Sequence, residues 1–254
     1  MTAVLAVTGL VKSFGGVRAV DGVSFAVRRG EFLALIGPNG AGKSTCFNMI
    51  GGQLRPDGGD VALEGRSIAG LPPRRVFRLG VGRTFQLAAT FASMTVLDNV
   101  LVALASHRRR LWSLAGPLSR PAGRGEAVAL LERVGMADAA GRPCRDLAYG
   151  DVKRVELAVA LAHGPRLLLM DEPTAGMARG ERLAMAALVK RLTAERGIAV
   201  LFTEHSMDVV FAFADRIVVL AQGAVIAEGA PAAIRADARV QEVYLGRAAG
   251  PDLP

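Results

Sequence analysis

The stretch GPNGAGKST, at residues 37–45, decides the fold of this 254-residue chain. An apolar run at residues 31–36 precedes it and predicts a buried strand, and residues 46–50 continue after it as a predicted helix. A strand, a glycine-rich loop and a helix with the spacing Gly, four residues, Gly-Lys-Ser are typical of a phosphate-binding loop. The stretch therefore predicts that the chain binds a nucleoside triphosphate, and the alternative is a glycine-rich turn without a ligand.

Each residue type in this loop has a physical reason. Gly37, Gly40 and Gly42 allow backbone conformations that a Cβ would forbid, so successive N–H groups can point at phosphate oxygens. The positive end of the following helix adds to the attraction. Lys43 can reach the β- and γ-phosphates as a point charge, and the hydroxyl of Ser44 can bind Mg²⁺. The loop therefore predicts a nucleoside triphosphate and Mg²⁺ as ligands.

Composition indicates a globular protein with an ample core, because 51% of the residues are apolar. The sequence has no run of eighteen apolar residues, so no membrane span is predicted. The apolar N-terminus alternates in a way that suits an edge strand better than a signal peptide, which predicts a cytoplasmic protein. The two cysteines, Cys46 and Cys144, are too few for a disulfide framework or a metal cluster and are expected to be packing residues.

The formal net charge of +8, from 31 basic and 23 acidic residues, admits anionic partners: nucleotide, nucleic acid or a membrane surface. Much of the excess lies in a basic segment from Arg108 to Arg124, which contains Trp112 and is broken by glycines and prolines. A solvated linker and a contact with phospholipid or a partner both remain open for this segment.

The second half of the chain predicts a strand-helix-strand unit. Residues 166–170 and 198–202 are continuous apolar runs, typical of parallel strands covered on both faces, and residues 181–196 between them predict a helix. Further strands are predicted at residues 4–7, 23–27, 61–63, 217–220 and 224–227, and further helices at 96–105, 125–134, 151–162, near 232 and ending at 245.

Two strand ends carry candidate catalytic groups. Asp171 and Glu172 follow the first apolar run, where ligands bind in parallel sheets. Asp171 suits a Mg²⁺ shell shared with Ser44, and Glu172 suits a base for an attacking water. His205 ends a strand that is expected to neighbour that of Asp171, which predicts a place near the γ-phosphate. An acidic turn without a role and a structural histidine are the alternatives.

Five motifs in this order and spacing resemble those of the ATP-binding subunits of ABC transporters over nearly the whole chain. They are the phosphate loop GPNGAGKST, the glutamine loop GRTFQ ending at Gln86, the signature LAYGD at 147–151, the segment LLLMDE ending at Glu172, and TEH ending at His205. The resemblance implies that ATP lies between the phosphate loop of one subunit and the signature of another, so that one chain carries half of each site.

Further segments resemble the ATPases of branched-chain amino acid importers. They are FGGVRAVDGVSF at 14–25, GVGRTFQ at 80–86, MTVLDNV at 94–100, DEPTAGM at 171–177 and VYLG at 243–246. An ATPase of lipopolysaccharide export is the alternative within the class, against which FGGVRAVDGVSF and LAYGD argue. A soluble ABC protein acting on nucleic acid or ribosomes is the alternative outside it, and nucleic acid is not an expected partner.

The resemblance implies a role for each matching position. By this resemblance, Lys43 and Thr45 hold phosphates, and the Mg²⁺ ligands are Ser44, Gln86 and Asp171. The catalytic residues are Glu172, His205 and Gln86. The nucleotide contacts are Phe14, Asn39, Gly40, Ala41, Gly42, Lys43, Ser44 and Thr45 of one subunit with Ala148, Tyr149 and Gly150 of the other. Phe14 is expected to stack on adenine, although an aromatic residue before paired glycines also suits a core anchor.

Three positions depart from the general ABC pattern. Ala148 replaces the usual signature serine, so a hydroxyl contact to the γ-phosphate is absent and backbone amides must act alone. Asp151 replaces the usual glutamine and brings a charge that suits a helix N-terminus but not a phosphate. Ala178 replaces the usual aspartate after Glu172, which we expect to weaken communication between two sites.

The fold class implied by the resemblance is α/β: a P-loop NTPase (RecA-like) core with a parallel sheet, an N-terminal antiparallel β-subdomain and an inserted α-helical subdomain. The expected boundaries are 1–87 and 164–229 for the core, 88–163 for the helical part with the signature, and 230–254 for C-terminal helices and tail. The expected partners are a second ATPase subunit, two membrane permeases that dock on the Gln86 loop and the helical segment after it (residues 87–100), and indirectly a periplasmic or extracellular substrate-binding protein. The expected location is the cytoplasmic face of the inner membrane.

Overall fold

Two sheets of different kinds carry the chain in the computed structural model, which describes residues 3–84, 90–107 and 123–245. The strands are β1 (Ala3–Phe14), β2 (Val17–Arg28), β3 (Phe32–Ile36), β4 (Gly58–Leu63), β5 (Arg66–Ser67), β6 (Val81–Thr84), β7 (Leu167–Asp171), β8 (Ala199–Thr203), β9 (Arg216–Ala221) and β10 (Ala224–Gly229). The order in the first sheet is β2-β1-β4-β5, and in the second it is β10-β9-β3-β8-β7-β6.

The helices are α1 (Lys43–Ile50), α2 (Pro73–Arg78), α3 (Val96–His107), α4 (Arg124–Val134), α5 (Tyr149–Leu161), α6 (Arg179–Arg196), α7 (Met207–Phe213), α8 (Pro231–Ala236) and α9 (Ala238–Leu245). Helices α3, α4 and α5 pack on one another, and α5 also packs against β6 of the second sheet. Gln86, most of the basic segment and the tail from residue 246 lie outside the described residues, and the division into domains stays a prediction.

The second sheet is parallel where it carries the predicted strand-helix-strand unit. Strand β3 pairs in parallel with β8 and β9, and β7 pairs in parallel with β6 and β8. Every residue of β3 is buried, and alternate side chains enter different cores: Phe32 and Ala34 face the helical side, while Leu33 and Leu35 face the first sheet. Burial on both faces explains the unbroken apolar runs and confirms the predicted fold class.

The first sheet is antiparallel, with β1 between β2 and β4. Gly15 and Gly16 have positive φ angles of 53° and 86° and close the β1–β2 turn next to Phe14. Both strands are longer than predicted, because their outer residues are polar or exposed and lack the apolar alternation of the inner ones.

Several parts of the chain differ from the predictions. Residues 90–95 are not helical and α3 begins at Val96, so the expectation of a helical docking segment from residue 87 is wrong for this part. The side chain of Thr95 ends the irregular stretch, because its Oγ1 accepts a hydrogen bond from the backbone N–H of Asp98 at 3.1 Å. The sequence reasoning also missed β6, α2 and α7, which are short; in α2, Val76 is the one buried residue.

Both cysteines are packing residues, as predicted. Cys46 is fully buried in α1, and burial raises the pKa of its thiol to about 12; Cys144 is also buried, and burial raises the pKa of that thiol as well. Within the three described ranges, no helix has the length and apolar character needed to cross a membrane.

Candidate functional site

The phosphate loop connects β3 to α1 and is held closely on two sides. Gly37 and Gly42 have φ angles of 156° and 100°, and a Cβ on either would collide with a backbone carbonyl oxygen, that of Leu220 or of Ala19. Helix α1 begins directly at Lys43, and no described side chain caps its N-terminus. The first N–H groups of α1 are therefore available to an anion.

Lys43 lies between the loop and the predicted carboxylates. It is buried, and its Nζ donates hydrogen bonds to the carbonyl oxygens of Gly37, at 2.6 Å, and Pro38, at 3.0 Å. Burial lowers the pKa of Lys43, and the negative charges of Glu172 and Asp171 oppose that shift. The lysine therefore shares one electrostatic environment with both carboxylates.

Asp171 is the last residue of β7, and both of its carboxylate oxygens face polar groups. Its Oδ1 accepts a hydrogen bond from Thr203 Oγ1 at 2.8 Å, and its Oδ2 lies 3.6 Å from a guanidinium nitrogen of Arg83. Helix α1, which begins with Lys43 and Ser44, packs against β7. The structure therefore brings the helix of Ser44 and the strand of Asp171 together.

Glu172 and His205 form a side-chain pair at the ends of neighbouring strands. Asp171 of β7 is directly opposite Thr203 of β8, and the two chains leave the sheet side by side. His205 Nε2 lies 2.9 Å from Glu172 Oε1. Glu172 has a φ of 48°, and its backbone N–H donates to the carbonyl oxygen of Thr203 at 3.1 Å. The predicted proximity of these two strand ends is thus observed.

Glu204 is a buried carboxylate to which the sequence reasoning gave no role. Its side chain accepts hydrogen bonds from Thr174 Oγ1 at 2.7 Å, from the Thr174 N–H at 3.0 Å and from the His205 N–H at 3.2 Å. A glutamate next to a histidine at a strand end is a signal for such a contact, but its partner, Thr174, is distant in sequence.

Arg83 is a second residue that the sequence reasoning missed. It lies on β6, beside β7, and besides approaching Asp171 it donates to Gln53 Oε1 at 2.8 Å and to Asn48 Oδ1 at 3.0 Å. Burial lowers the pKa of Arg83, and the charge of Asp171 opposes that shift. Arg83 therefore links the strand before Gln86 to the strand of Asp171.

The signature residues lie at the start of α5. Ala148 is the N-cap residue with extended backbone angles, Tyr149 is half exposed with its ring against Gly176, and Gly150 lies near Glu181. Among the described elements, the main packing partners of α5 are α3, α4, α6 and β6, whereas those of α1 are β2 and β7. Within one chain, the signature and the phosphate loop thus belong to different packing groups.

Phe14 ends β1 beside the hairpin turn and is half exposed, with Lys12 Nζ 5.6 Å from its ring centroid. Exposure fits a stacking surface better than a core anchor.

A cavity of about 340 Å³ lies between strand β6 of the second sheet and helices α2, α3 and α5. Its wall includes Phe77, Arg83, Phe91, Glu156 and His163, and the rings of Phe77 and His163 are 4.2 Å apart. Phe77 and Phe91 are also among the exposed large apolar residues. The cavity thus combines an apolar wall with a direct connection, through Arg83, to Asp171.

The phosphate loop, the carboxylates and histidine at the two strand ends, and the signature at the start of α5 define an ATP-binding cassette. The sequence profile of the ABC transporter family matches residues 20–175. The chain therefore belongs to the ABC transporter family, as its motifs predicted. A second profile, described as that of the branched-chain amino acid ATP-binding cassette transporter, matches residues 224–250.

Full-length relatives belong to the same group. The high-affinity branched-chain amino acid transport ATP-binding protein BraF of Pseudomonas aeruginosa is 41% identical over 252 residues, covering 96% of this chain and 98% of BraF. The protein of the same description in Escherichia coli, LivG, is 39% identical over 252 residues with the same coverage. The predicted resemblance to the branched-chain group is confirmed, and the lipopolysaccharide-export alternative is not favoured.

Solved structures show the same fold. MJ1267, an ATP-binding cassette of an ABC transporter in its ADP conformation, superposes with a TM-score of 0.86 at 33% identity, covering 97% of this chain and 100% of that one. A dimeric structure of the bacterial ABC transporter cassette MJ0796 superposes with a TM-score of 0.76 at 27% identity, covering 89% and 98%. The first supports nucleotide binding by this fold, and the second shows that such cassettes form dimers.

Proposed function

We propose that this chain is the ATP-hydrolysing subunit of an importer for branched-chain amino acids or related solutes. The pairing of Glu172 with His205, next to a phosphate loop, is the observation that carries the hydrolytic part of this proposal. The printed functions of BraF and LivG support the choice of solute. In this proposal, hydrolysis resets a subunit pair that ATP binding has closed.

The loop residues Asn39 to Thr45 bind the phosphates through backbone N–H groups, and Lys43 neutralises part of their charge. Lys43 Nζ donates two hydrogen bonds to loop carbonyls, and an ammonium group has three N–H donors, so the third can bind a phosphate oxygen. Glu172 accepts a proton from the attacking water, and His205, held against Glu172, donates to the γ-phosphate. Phe14 stacks on the adenine.

Mg²⁺ is part of the proposal, with Ser44, Asp171 and Gln86 as its protein ligands. The donor set fits, because hydroxyl, carboxylate and amide oxygens are hard ligands and Mg²⁺ usually keeps waters and substrate phosphates as well. In the described part of the chain, no group of three or more His, Cys, Asp or Glu side chains is placed to hold a metal ion. The ion would neutralise phosphate charge.

The signature of a second subunit completes each site in this proposal. The N–H groups at the start of α5, at Ala148, Tyr149 and Gly150, and the positive end of that helix would face the γ-phosphate. The separate packing of α5 and α1 within one chain and the dimeric form of MJ0796 support this arrangement. The second subunit is a second copy of this chain or a sister ATPase.

The cavity near Phe77 and Phe91 is the proposed docking surface for a membrane permease, and it replaces the helical segment expected from sequence. Two such permeases, fed by a substrate-binding protein outside the membrane, would hold the ATPase pair at the cytoplasmic face. Arg83 in the wall of the cavity provides a physical connection between this surface and Asp171.

Co-purification from membranes tests the proposal. We expect the tagged chain, extracted in detergent, to bring down two permease subunits, and Phe77→Glu to reduce their yield because it places a charge in an apolar wall. Arg191→Glu, which introduces the same side chain on the exposed face of α6, is the matched control and should leave the yield unchanged. Polynucleotide-stimulated ATP hydrolysis without permeases would instead point to the soluble class of ABC protein.

Ala148→Ser is expected to raise stability and to leave ATP hydrolysis intact or faster. Ala148 has φ −64° and ψ 154° and is the N-cap residue of α5, where a serine hydroxyl accepts a hydrogen bond that alanine cannot. The expected gain of about 1 kcal/mol corresponds to a rise in Tm of roughly 2–4 °C.

Ala230→Ser is the control, because Ala230 has nearly the same backbone angles at the N-cap of α8, outside the phosphate loop and the signature. It should raise Tm without raising the hydrolysis rate. A marked loss of hydrolysis in Ala148→Ser alone would contradict the interpretation of LAYGD as the signature.

A further inference from the structure

The function proposed above leaves one buried carboxylate at the site unused. Glu204 is 4% exposed and lies between two loops, the turn after β7 that carries Glu172 and the loop after β8 that carries His205. We propose that Glu204 is a positioning residue, which clamps these two loops together and so sets the distance between Glu172 and His205. The inference rests on the roles proposed for that pair.

The two oxygens of Glu204 hold different loops. Oε1 accepts from the N–H and the hydroxyl of Thr174, two residues beyond Glu172, at 3.0 Å and 2.7 Å. Oε2 accepts from the N–H of His205 at 3.2 Å and faces that of Ser206 at 3.5 Å. Since the carboxylate is planar and rigid, a shift of one loop must move the other or break a hydrogen bond.

The turn after β7 needs such support. Glu172 has a Cβ but adopts a φ of 48°, in the left-handed region that disfavours all residues except glycine and a few polar ones. The backbone N–H of Glu172 donates to the carbonyl oxygen of Thr203. Two residues further along the chain, the fully buried Thr174 donates to Glu204. Both sides of the unfavourable residue are therefore anchored to β8 and the loop that follows it.

The side chain of Glu204 is surrounded by hydrogen-bond donors. All four groups that face Glu204 are donors, three backbone N–H groups and one hydroxyl, and a carboxylate is an acceptor at both oxygens. An amide in its place would direct an N–H₂ group at donors of one of the two loops. Glu204→Gln therefore releases one loop while it keeps the shape of the side chain.

Steady-state kinetics of Glu204→Gln test the clamp. We expect kcat for ATP hydrolysis to fall by about 10-fold to 100-fold, the effect of leaving a buried polar group unsatisfied beside the reacting pair. KM for ATP should change by less than about 3-fold, because the phosphate loop and Lys43 do not contact Glu204. A residue that only stabilised the fold would not lower kcat while leaving KM for ATP nearly unchanged.

Glu31→Gln is the matched control. Glu31 is also a buried carboxylate, but it precedes β3 at the opposite end of the sheet, where its Oε1 lies 2.8 Å from Arg216 Nε. It should lower Tm and leave kcat unchanged. A wild-type kcat in Glu204→Gln, or an equal loss of kcat in both variants, would overturn the clamp.

Thr174→Val supplies a second test that does not require Glu204→Gln to fold, because a wild-type kcat in this single variant would overturn the clamp. It removes the 2.7 Å hydrogen bond and keeps the volume, so kcat should fall in the wild-type background and fall much less in the Glu204→Gln background. Additive losses would overturn the clamp. Turnover of Glu172→Gln separates the proposed function from the clamp. If Glu172→Gln hydrolyses ATP normally, the roles proposed for Glu172 and His205 fail. If Glu172→Gln is inactive and Glu204→Gln has a normal kcat, the clamp alone is refuted.

Discussion

Glu172→Gln is expected to bind ATP with unchanged affinity and to lose nearly all turnover. Glutamine keeps an oxygen that can pair with His205 Nε2, now 2.9 Å from Glu172 Oε1, so the geometry of the pair survives. The amide cannot accept a proton from water, and loss of a general base lowers rates by about 100-fold to 10,000-fold. Phosphate release measures turnover, and equilibrium binding of a fluorescent ATP analogue measures affinity.

The control for this change is Glu195→Gln on α6, where the side chain is exposed and pairs with Arg191. It removes the same charge outside the predicted site and should leave both quantities at the wild-type level. Turnover of Glu172→Gln within a few-fold of the wild type would remove Glu172 from the role of base.

Lys43→Ala is expected to weaken ATP binding strongly. Lys43 is buried between the loop and the two carboxylates Asp171 and Glu172, and without its positive charge the phosphates would meet two negative groups at close range. Loss of charge-assisted hydrogen bonds costs about 1.5–3 kcal/mol each, so the affinity should fall by at least 10-fold to 100-fold. Isothermal titration with MgATP measures the change.

A structural effect of Lys43→Ala is checked separately. Lys190→Ala on α6 removes a lysine that also donates to a backbone carbonyl, that of Phe213 at 2.6 Å, and it should leave ATP affinity unchanged. An unchanged affinity in Lys43→Ala would show that the backbone N–H groups of the loop and α1 suffice to hold the phosphates. The two variants together separate binding from chemistry, since Lys43 acts on affinity and Glu172 on turnover.

The parts of the fold that sequence predicted are those with a strong local pattern. The residues of β3 are apolar without interruption, since both faces of that strand are buried. The short helix α2 lacks such a pattern, because Arg74, Arg75 and Arg78 face solvent and Val76 alone is buried. The start of α3 was predicted correctly at Val96, because the apolar periodicity of a helix begins at that residue.

In the candidate site, too, the residues with a local sequence pattern were predicted and those that depend on contacts between distant segments were not. The phosphate loop, Asp171, Glu172 and His205 are evident from residue types at fixed short spacings. The contacts of Arg83 with Asp171 and of Glu204 with Thr174 are absent from any local pattern, because they join residues from different strands.

The sequence alone determined that this chain is an ATP-binding cassette, because a glycine loop, an acidic strand end and their order along the chain are local chemical requirements of phosphate binding. Only the tertiary structure decided which side chains support that chemistry. The parallel register of β7 and β8 places Glu172 beside His205, and the buried Glu204 contacts Thr174 and the N–H of His205. Register and burial depend on how distant segments pack, so they are properties of the folded sheet and of no single stretch.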